Sequence, residues 1–154
     1  MKLLIYLISL FIVCNLSVFG QDNAFTFKGQ VHSYGQTLKG VSIEVFEGVE
    51  LVLESTTNGS GKFTLELQSE RDYMVEISME KLQAKTIWIN TKRTKGLDTK
   101  VSTFAFDVDL KKEKITPYGE LSEIPVTLIK YQSDKNVFYM DKTYEDAVDN
   151  KKKN

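Results

Sequence analysis

The chain contains a single histidine, His32, and a single cysteine, Cys14, which limits the chemistry open to it. Nucleophilic catalysis of the Ser-His type needs an imidazole within hydrogen-bond reach of the nucleophile. His32 falls on a polar position of a predicted strand beside a turn, and no G-x-S-x-G motif accompanies it. A Cys/His zinc cluster or a disulfide within the chain needs more than one cysteine. We therefore predict no catalytic residues, no metal site, no cofactor and no enzymatic activity.

Two carboxylates, Asp107 and Asp109, lie two residues apart on a predicted strand, so both project from one face. Paired carboxylates occur in calcium sites and in glycoside hydrolases. A calcium site needs more oxygen ligands than these two, and the chain has no D-x-D-x-D-G loop. We interpret the pair as the solvated face of a strand, and a hydrolase that uses it is the enzymatic alternative.

Two other groups of residues have side chains suited to ligand contact. Trp88, Tyr34 and Tyr118 are aromatic, like the residues that stack on sugar rings, although a tryptophan inside an apolar run is more often in the core. Segment 91–100 carries four basic residues and one aspartate, which suits an acidic polymer or a phosphate surface. No aromatic residue interleaves those charges, which favours a solvated loop. The candidate ligand contacts are Tyr34, Trp88, Lys92, Arg93 and Lys95.

These residues must be positioned by strands, because apolar and polar residues alternate with period two from Phe25 to Leu110. Segment 62–68 is the clearest case, whereas segment 82–90 is ambiguous because three apolar residues, 87–89, are consecutive. Asn58-Gly59-Ser60-Gly61 predicts a tight turn. Seven short strands at regular spacing, each with one apolar face, predict an all-β fold, a seven-stranded antiparallel β-sandwich.

The pattern changes after Leu110, where a charged segment, 111–114, interrupts the alternation. Segments 124–131 and 137–140 predict two further strands, and Thr143 with Asp146 predicts a capped short helix through Val148. About 40 residues rarely form a core of their own. We therefore predict that residues 111–154 are a C-terminal β/short-helix extension, with a frayed tail, that packs on a sandwich of residues 21–110.

Residues 1–20 have the layout of a secretory signal peptide. Lys2 precedes the apolar segment 3–13, and Val18-Phe19-Gly20 provides small or medium residues before Gln21. The apolar run is short for a membrane span, so we predict cleavage after Gly20 and no transmembrane span in the mature chain. We expect an exported protein of the periplasm, the outer-membrane periphery or the secreted fraction. The formal net charge of −1 lacks the basic excess of a nucleic-acid binder, so no nucleic-acid partner is expected.

Four segments resemble the carboxypeptidase regulatory-like domain family, which has a transthyretin-like (prealbumin-like) sandwich fold. They are Lys28–Val31, Gly35–Val45, Thr56–Leu65 and Tyr73–Ile77, and the match covers about residues 25–91. The resemblance implies a non-catalytic domain of the kind that accompanies peptidases, outer-membrane receptors and envelope proteins. Together with the signal, it predicts a binding or accessory module that contacts an envelope protein or polysaccharide. The alternative is a carbohydrate-binding module that uses Trp88 and the tyrosines.

Overall fold

The computed structural model describes residues 24–93, 103–112, 125–132 and 134–151. These residues form ten strands and one helix, and they confirm the prediction of an all-β sandwich with a C-terminal β/short-helix extension. The elements are β1 (Ala24–Ser33), β2 (Gln36–Thr37), β3 (Ser42–Glu47), β4 (Glu50–Thr56), β5 (Lys62–Gln68), β6 (Asp72–Ser78), β7 (Lys85–Asn90), β8 (Phe104–Asp109), β9 (Thr127–Gln132), β10 (Val137–Met140) and α1 (Lys142–Lys151). The described helix is neither long nor apolar enough to cross a membrane.

The strands form two sheets that pack face to face. In the four-stranded sheet, β1 pairs with β2, β5 and β8, and the six-stranded sheet has the order β10-β9-β7-β6-β3-β4. Two pairings, β1 with β8 and β7 with β9, are parallel, which corrects the prediction of purely antiparallel pairing. Alternation reports which face of a strand is buried but carries no information on strand direction. Both parallel pairs join strands that are distant in sequence, as parallel pairing requires.

The core lies between the sheets, where the inward-facing residues of each strand meet. Phe63, Leu65 and Leu67 of β5 are at most 5% exposed, as their spacing predicts. On the other side of the core, Phe138 of β10 packs edge-on against Phe25 and Phe27 of β1, with ring centroids 5.0 and 4.9 Å apart. The strands of the C-terminal extension are thus part of the same core and of the six-stranded sheet, while the boundary at residue 110 stays a prediction.

Gly29 and Gly61 lie where a side chain would clash with neighbouring atoms. An added Cβ on Gly29 would lie 2.2 Å from the ring of Phe63, which stacks edge-on with Phe106 at 5.7 Å. Gly61, at the end of the predicted tight turn, has a φ of +73°, and its Cβ would lie 2.9 Å from the carbonyl oxygen of Val31. A larger residue at either position would displace the packing or strain the backbone.

The helix α1 begins at Lys142 and is capped by Asp141. The Asp141 Oδ1 accepts hydrogen bonds from the backbone N–H groups of Thr143 and Tyr144, at 3.1 and 3.4 Å. The predicted cap at Thr143 is therefore wrong, because Thr143 already lies in the first turn. Aspartate and threonine are both favoured N-cap residues, so the local sequence did not separate the two positions.

Candidate functional site

The outer face of the six-stranded sheet carries a line of apolar side chains across five adjacent strands. The strand register pairs Phe46 with Leu51 and Met74, Met74 with Trp88, and Trp88 with Leu128. We call these five residues the apolar row. At a strand spacing of about 4.8 Å the row extends for about 19 Å. Side chains directly opposite each other in a sheet have Cβ atoms about 5 Å apart, so the row forms a continuous strip.

Most of the apolar row is accessible to solvent. Leu51 is 47% exposed and Trp88 is 39% exposed, while Phe46 and Met74 are half-buried. Leu128, at the far end, is only 7% exposed, and α1 packs against its strand. The helix therefore covers one end of the apolar row. The remaining four residues form an apolar surface on a sheet face that, when exposed to water, is ordinarily polar.

Trp88 is an outward-facing residue, whereas a tryptophan inside an apolar run is more often in the core. Its neighbours Ile87 and Ile89 take the inward positions and are at most 3% exposed. Three consecutive apolar residues conceal the period of two in the sequence. The signal that identifies Trp88 is the pairing register, which sets it opposite Met74 on the outer face.

A β-bulge brings Leu51 into the row. The register shifts between Val45 and Phe46, so Val45 pairs with Leu53 while Phe46 pairs with Leu51. Val52 is the extra residue of the bulge, which lets Leu51 and Leu53 face opposite sides of the sheet although they are two apart in sequence. Alternation alone places both on one face, which is why the sequence did not reveal the row.

Three glutamates form an acidic row beside the apolar row, on the side away from Asn90. The register sets Glu44 between Glu54 and Glu76 on adjacent strands. Like charges directly opposite each other destabilise a sheet. The acidic row therefore places three carboxylates side by side next to the exposed apolar row.

A polar row lies on the other side of the apolar row, and its charges are paired. The Asn90 Nδ2 donates to Asp72 Oδ1 at 2.6 Å, and Lys130 Nζ lies 2.9 Å from the Oδ2 of Asp141. The hydrogen bond that Lys130 donates to Asp141 raises the pKa of Lys130 and lowers the pKa of Asp141. Tyr139, opposite Lys130, is 38% exposed at the margin. The two flanks of the apolar row thus differ, because one contains ion-paired charges and the other consists of adjacent glutamates.

The residues predicted to contact a ligand do not lie together. Tyr34 is in the turn after β1 and is 72% exposed, whereas the Arg93 guanidinium lies 5.3 Å above the ring of Phe25 at the start of β1. Nine residues of extended strand separate these points, which is about 30 Å. Lys92 follows β7 and forms an ion pair with Asp72. Lys95 and Tyr118 lie outside the described residues.

His32, Asp107 and Asp109 lie on the opposite side of the molecule, on the outer face of the four-stranded sheet. Asp107 and Asp109 are both exposed, which agrees with a solvated strand face. His32 is half-buried and is in register with Asp109. In the part of the chain that the structure describes, no three His, Cys, Asp or Glu residues are arranged to hold a metal ion.

Comparison with known proteins gives distant structural likenesses only. No protein-family model matches the chain, and no curated protein matches it either. A catechol 1,2-dioxygenase variant from Acinetobacter radioresistens matches with 12% identity and a TM-score of 0.46, over 68% of this chain and 57% of the enzyme.

Two further likenesses are more distant still. The pilus 2b backbone protein of group B streptococcus matches with 13% identity and a TM-score of 0.40, over 57% of this chain and 41% of that protein. A DUF3823 family protein from Parabacteroides merdae also has 13% identity and a TM-score of 0.40, over 71% and 50%. The chain thus spans about half the length of these proteins, and such likenesses assign it no family, activity or partner. The resemblance to the carboxypeptidase regulatory-like family stays a prediction.

Proposed function

We propose that the chain is an exported, non-catalytic β-sandwich that binds a protein or polymer of the cell envelope through the outer face of its six-stranded sheet. The observation that supports this surface is the apolar row, in which Trp88, Phe46 and Met74 stand in register and accessible to solvent. Export rests on the signal-like residues 1–20, which lie outside the described residues.

The composition of this surface favours a protein partner. Tryptophan is enriched among residues that dominate binding energy, particularly where neighbouring side chains exclude water from it. Trp88 has Met74 and Leu128 on its two sides, which provides such a setting. The acidic row then favours a partner that carries basic side chains next to apolar ones, because opposite charges attract and steer the encounter.

The first test uses Trp88 itself as the reporter, because it is the only tryptophan of the chain. A partner that covers the apolar row should shift the fluorescence emission of Trp88. Envelope fractions can therefore be screened for this shift, and the component responsible can then be purified. Trp88→Ala should weaken binding of that component about 30-fold or more, as for an interface residue of dominant energy, and calorimetry measures this because the variant has no tryptophan. The fold of this variant should be retained, since the Trp88 side chain lies on the outer face of the sheet and not in the core.

Lys28→Ala is the matched control, because Lys28 is an exposed residue of the other sheet. We expect this variant to bind like the wild type. Equal binding by the wild type and both variants, or no envelope fraction that shifts Trp88 emission, would contradict the proposed surface.

A second candidate function is carbohydrate binding, favoured by the neighbours of Trp88. An exposed indole can stack on a sugar ring while Asn90 and Asp72, on the adjacent polar row, offer hydrogen-bonding groups to hydroxyls. Titration of the whole chain with envelope polysaccharides, followed by isothermal titration calorimetry, tests this function, because the Trp88→Ala variant has no tryptophan to report binding. Binding that disappears in Trp88→Ala and survives high salt would favour it over the protein partner, whose attraction to the acidic row is weakened by salt.

A further inference from the structure

The strand β4 is an open edge of the six-stranded sheet. It pairs with β3 along one side, and no described strand pairs with its other side. Edge strands are commonly protected by bulges, and the bulge at Val52 disturbs the first half of β4. The second half, from Leu53 to Thr56, keeps a continuous register with β3. This half is therefore a regular edge to which a further strand can be added.

The hydrogen-bond phase shows which residues of β4 bond to β3. The N–H of Thr57 donates to the carbonyl of Val41 at 3.1 Å, directly after β4 ends. Hydrogen-bonded and non-hydrogen-bonded pairs alternate along an antiparallel ladder. Counting back from Thr57 in steps of two, Ser55 and Leu53 therefore exchange their backbone bonds with β3.

The backbone groups of the two intervening residues face the open edge. These residues are Glu54 and Thr56, and the N–H and C=O groups of both point away from β3. The hydrogen bonds that close the following turn run within residues 58–62 and do not involve them. The edge thus offers two donors and two acceptors at the spacing that an antiparallel strand requires.

A cleft of about 230 Å³ opens beside this edge, between β4 and β5. Leu53 of β4, Leu67 of β5 and the buried Tyr73 are among the residues that line it. Pockets for small molecules usually have about 300–1,000 Å³, so the size of this cleft suits a single side chain. Residues directly opposite each other on paired strands project from the same face. A residue paired with Leu53 would therefore direct its side chain towards the cleft.

The side chains at the edge define the chemistry of an added strand. Glu54 is exposed on the outer face and has Glu44 beside it, and Glu66 is at the cleft. Opposite charges that face each other across a strand pair are stabilising, so a lysine or arginine suits the position opposite Glu54. A large apolar side chain suits the position opposite Leu53, because Leu53 and Leu67 form walls of the cleft.

We propose that β4 binds an extended segment of a partner protein as an additional antiparallel strand. The segment has a basic residue opposite Glu54 and a large apolar residue opposite Leu53, in the cleft. Main-chain hydrogen bonds provide affinity in this mode of recognition, and the side-chain positions provide specificity. The added strand extends the six-stranded sheet and does not cover its outer face. The inference therefore goes beyond the function proposed for the apolar row and does not depend on it.

Isothermal titration calorimetry of the whole chain with a synthetic pentapeptide tests the proposal. The peptide is Lys-Thr-Lys-Leu-Lys, acetylated and amidated at its ends. In the proposed register its central lysine lies opposite Glu54 and its leucine opposite Leu53. We expect saturable binding with a micromolar to millimolar dissociation constant. Replacing the peptide leucine by alanine should weaken binding about 10-fold, as expected when a leucine side chain no longer leaves water.

Methylation of the peptide backbone distinguishes strand addition from other modes of binding. In the proposed register the N–H groups of the first and central lysines face β4, whereas those of the threonine and the leucine point away. N-methylation of these two lysines should abolish binding, and N-methylation of the threonine and the leucine should leave it largely intact. Because only the peptide changes, the comparison does not depend on the folding of a protein variant.

Charge reversal tests the register from the side of the protein. Glu54→Lys should weaken binding of the peptide about 10-fold, and a peptide with glutamate as its central residue should restore it. Asp107→Lys is the matched control, because it makes the same change of charge at an exposed position of the other sheet. Trp88→Ala should bind the peptide like the wild type, so a failure of this edge and a failure of the apolar row are observed separately.

Three outcomes would overturn the proposal. They are a wild type that does not bind the peptide at millimolar concentration, a peptide methylated at the two lysines that binds as well as the unmodified one, and a Glu54→Lys variant that binds like the wild type. Hydrogen exchange gives a second measure, since the bound peptide should protect the amides of Glu54 and Thr56. Amides that exchange equally fast with and without saturating peptide would also count against this edge.

Discussion

The two outer faces of the sandwich differ in composition although both sheets bury their inner faces equally well. The outer face of the four-stranded sheet is polar apart from Ala24 and Ala105, with side chains on β1, β5 and β8 that need no cover from water. The outer face of the six-stranded sheet has an apolar row that includes Trp88, between Met74 and Leu128. A sheet of a sandwich needs only one apolar face to fold. Folding therefore does not explain the apolar row on the outer face of the six-stranded sheet, which makes this face a better candidate for binding than the outer face of the four-stranded sheet.

The contrast between inner and outer faces can be tested most strongly on β10, where neighbouring aromatic residues face opposite ways. Phe138 is 6% exposed and packs against Phe25 and Phe27, whereas Tyr139 is 38% exposed. Phe138→Ala should lower the free energy of unfolding by about 3–5 kcal/mol, because it empties part of the core. Chemical denaturation followed by circular dichroism measures this change.

Tyr139→Ala is the control on the same strand and should alter the free energy of unfolding by less than about 0.5 kcal/mol. The pair also tests whether the C-terminal extension folds with the sandwich, since Phe138 connects β10 to β1. If Phe138→Ala has an effect as small as that of Tyr139→Ala, the extension does not contribute to the shared core.

The sequence predicts the inner faces well and the outer faces poorly, for a physical reason. Burial imposes a period of two, and Phe63, Leu65 and Leu67 display it because their alternate neighbours are polar. The apolar row cannot be recognised in the linear sequence, because its five residues come from five strands and become neighbours only through the pairing register.

The sequence also did not reveal which strands pair in parallel or where the β-bulge lies. The parallel placement of β8 and β9 depends on contacts between distant segments, and the bulge at Val52 depends on how β3 and β4 pair. The outward position of Trp88 was not evident from the sequence, because Ile87 and Ile89 hide the alternation on β7. Residues 94–102, which include Lys95, lie outside the described residues, so the basic loop stays a prediction.

The acidic row offers a smaller test of the same contrast between the two outer faces. Glu44 has a glutamate on each side, at positions 54 and 76, and Glu44→Lys turns two repulsive pairs into attractive ones. We expect the free energy of unfolding to rise by about 1 kcal/mol, because each cross-strand charge pair contributes a few tenths of a kcal/mol or more. Binding of a basic protein partner should weaken in the same variant, as expected where a surface gives up stability for function.

Lys28→Glu is again the control, since Lys28 lies between Thr64 and Ala105, which are uncharged. Its thermal midpoint should stay close to that of the wild type. A Glu44→Lys variant that is no more stable than this control, or that binds the purified partner unchanged, would show that the acidic row is only a solvated part of the sheet.

The smallest expected effect concerns the end of the apolar row that α1 covers. Asp141 caps α1 and also pairs with Lys130 of β9, and the hydrogen bond to Lys130 lowers the pKa of this carboxyl. The stabilisation is therefore complete above the ordinary pKa of aspartate. It is lost as the pH falls through the lower pKa that Asp141 has in the folded chain. Acidification should loosen α1 before the sandwich unfolds, which hydrogen exchange of residues 142–151 would detect.

Asp141→Asn removes the charge and should make the protection of the α1 amides, relative to their intrinsic exchange rates, nearly independent of acidic pH, whereas Asp107→Asn on the other sheet should leave the wild-type response intact. Release of the helix would expose Leu128 and lengthen the accessible part of the apolar row. If α1 instead keeps its protection at acidic pH until the whole sandwich unfolds, apolar contacts such as that of Val148 hold the helix, and the ion pair adds little to its docking.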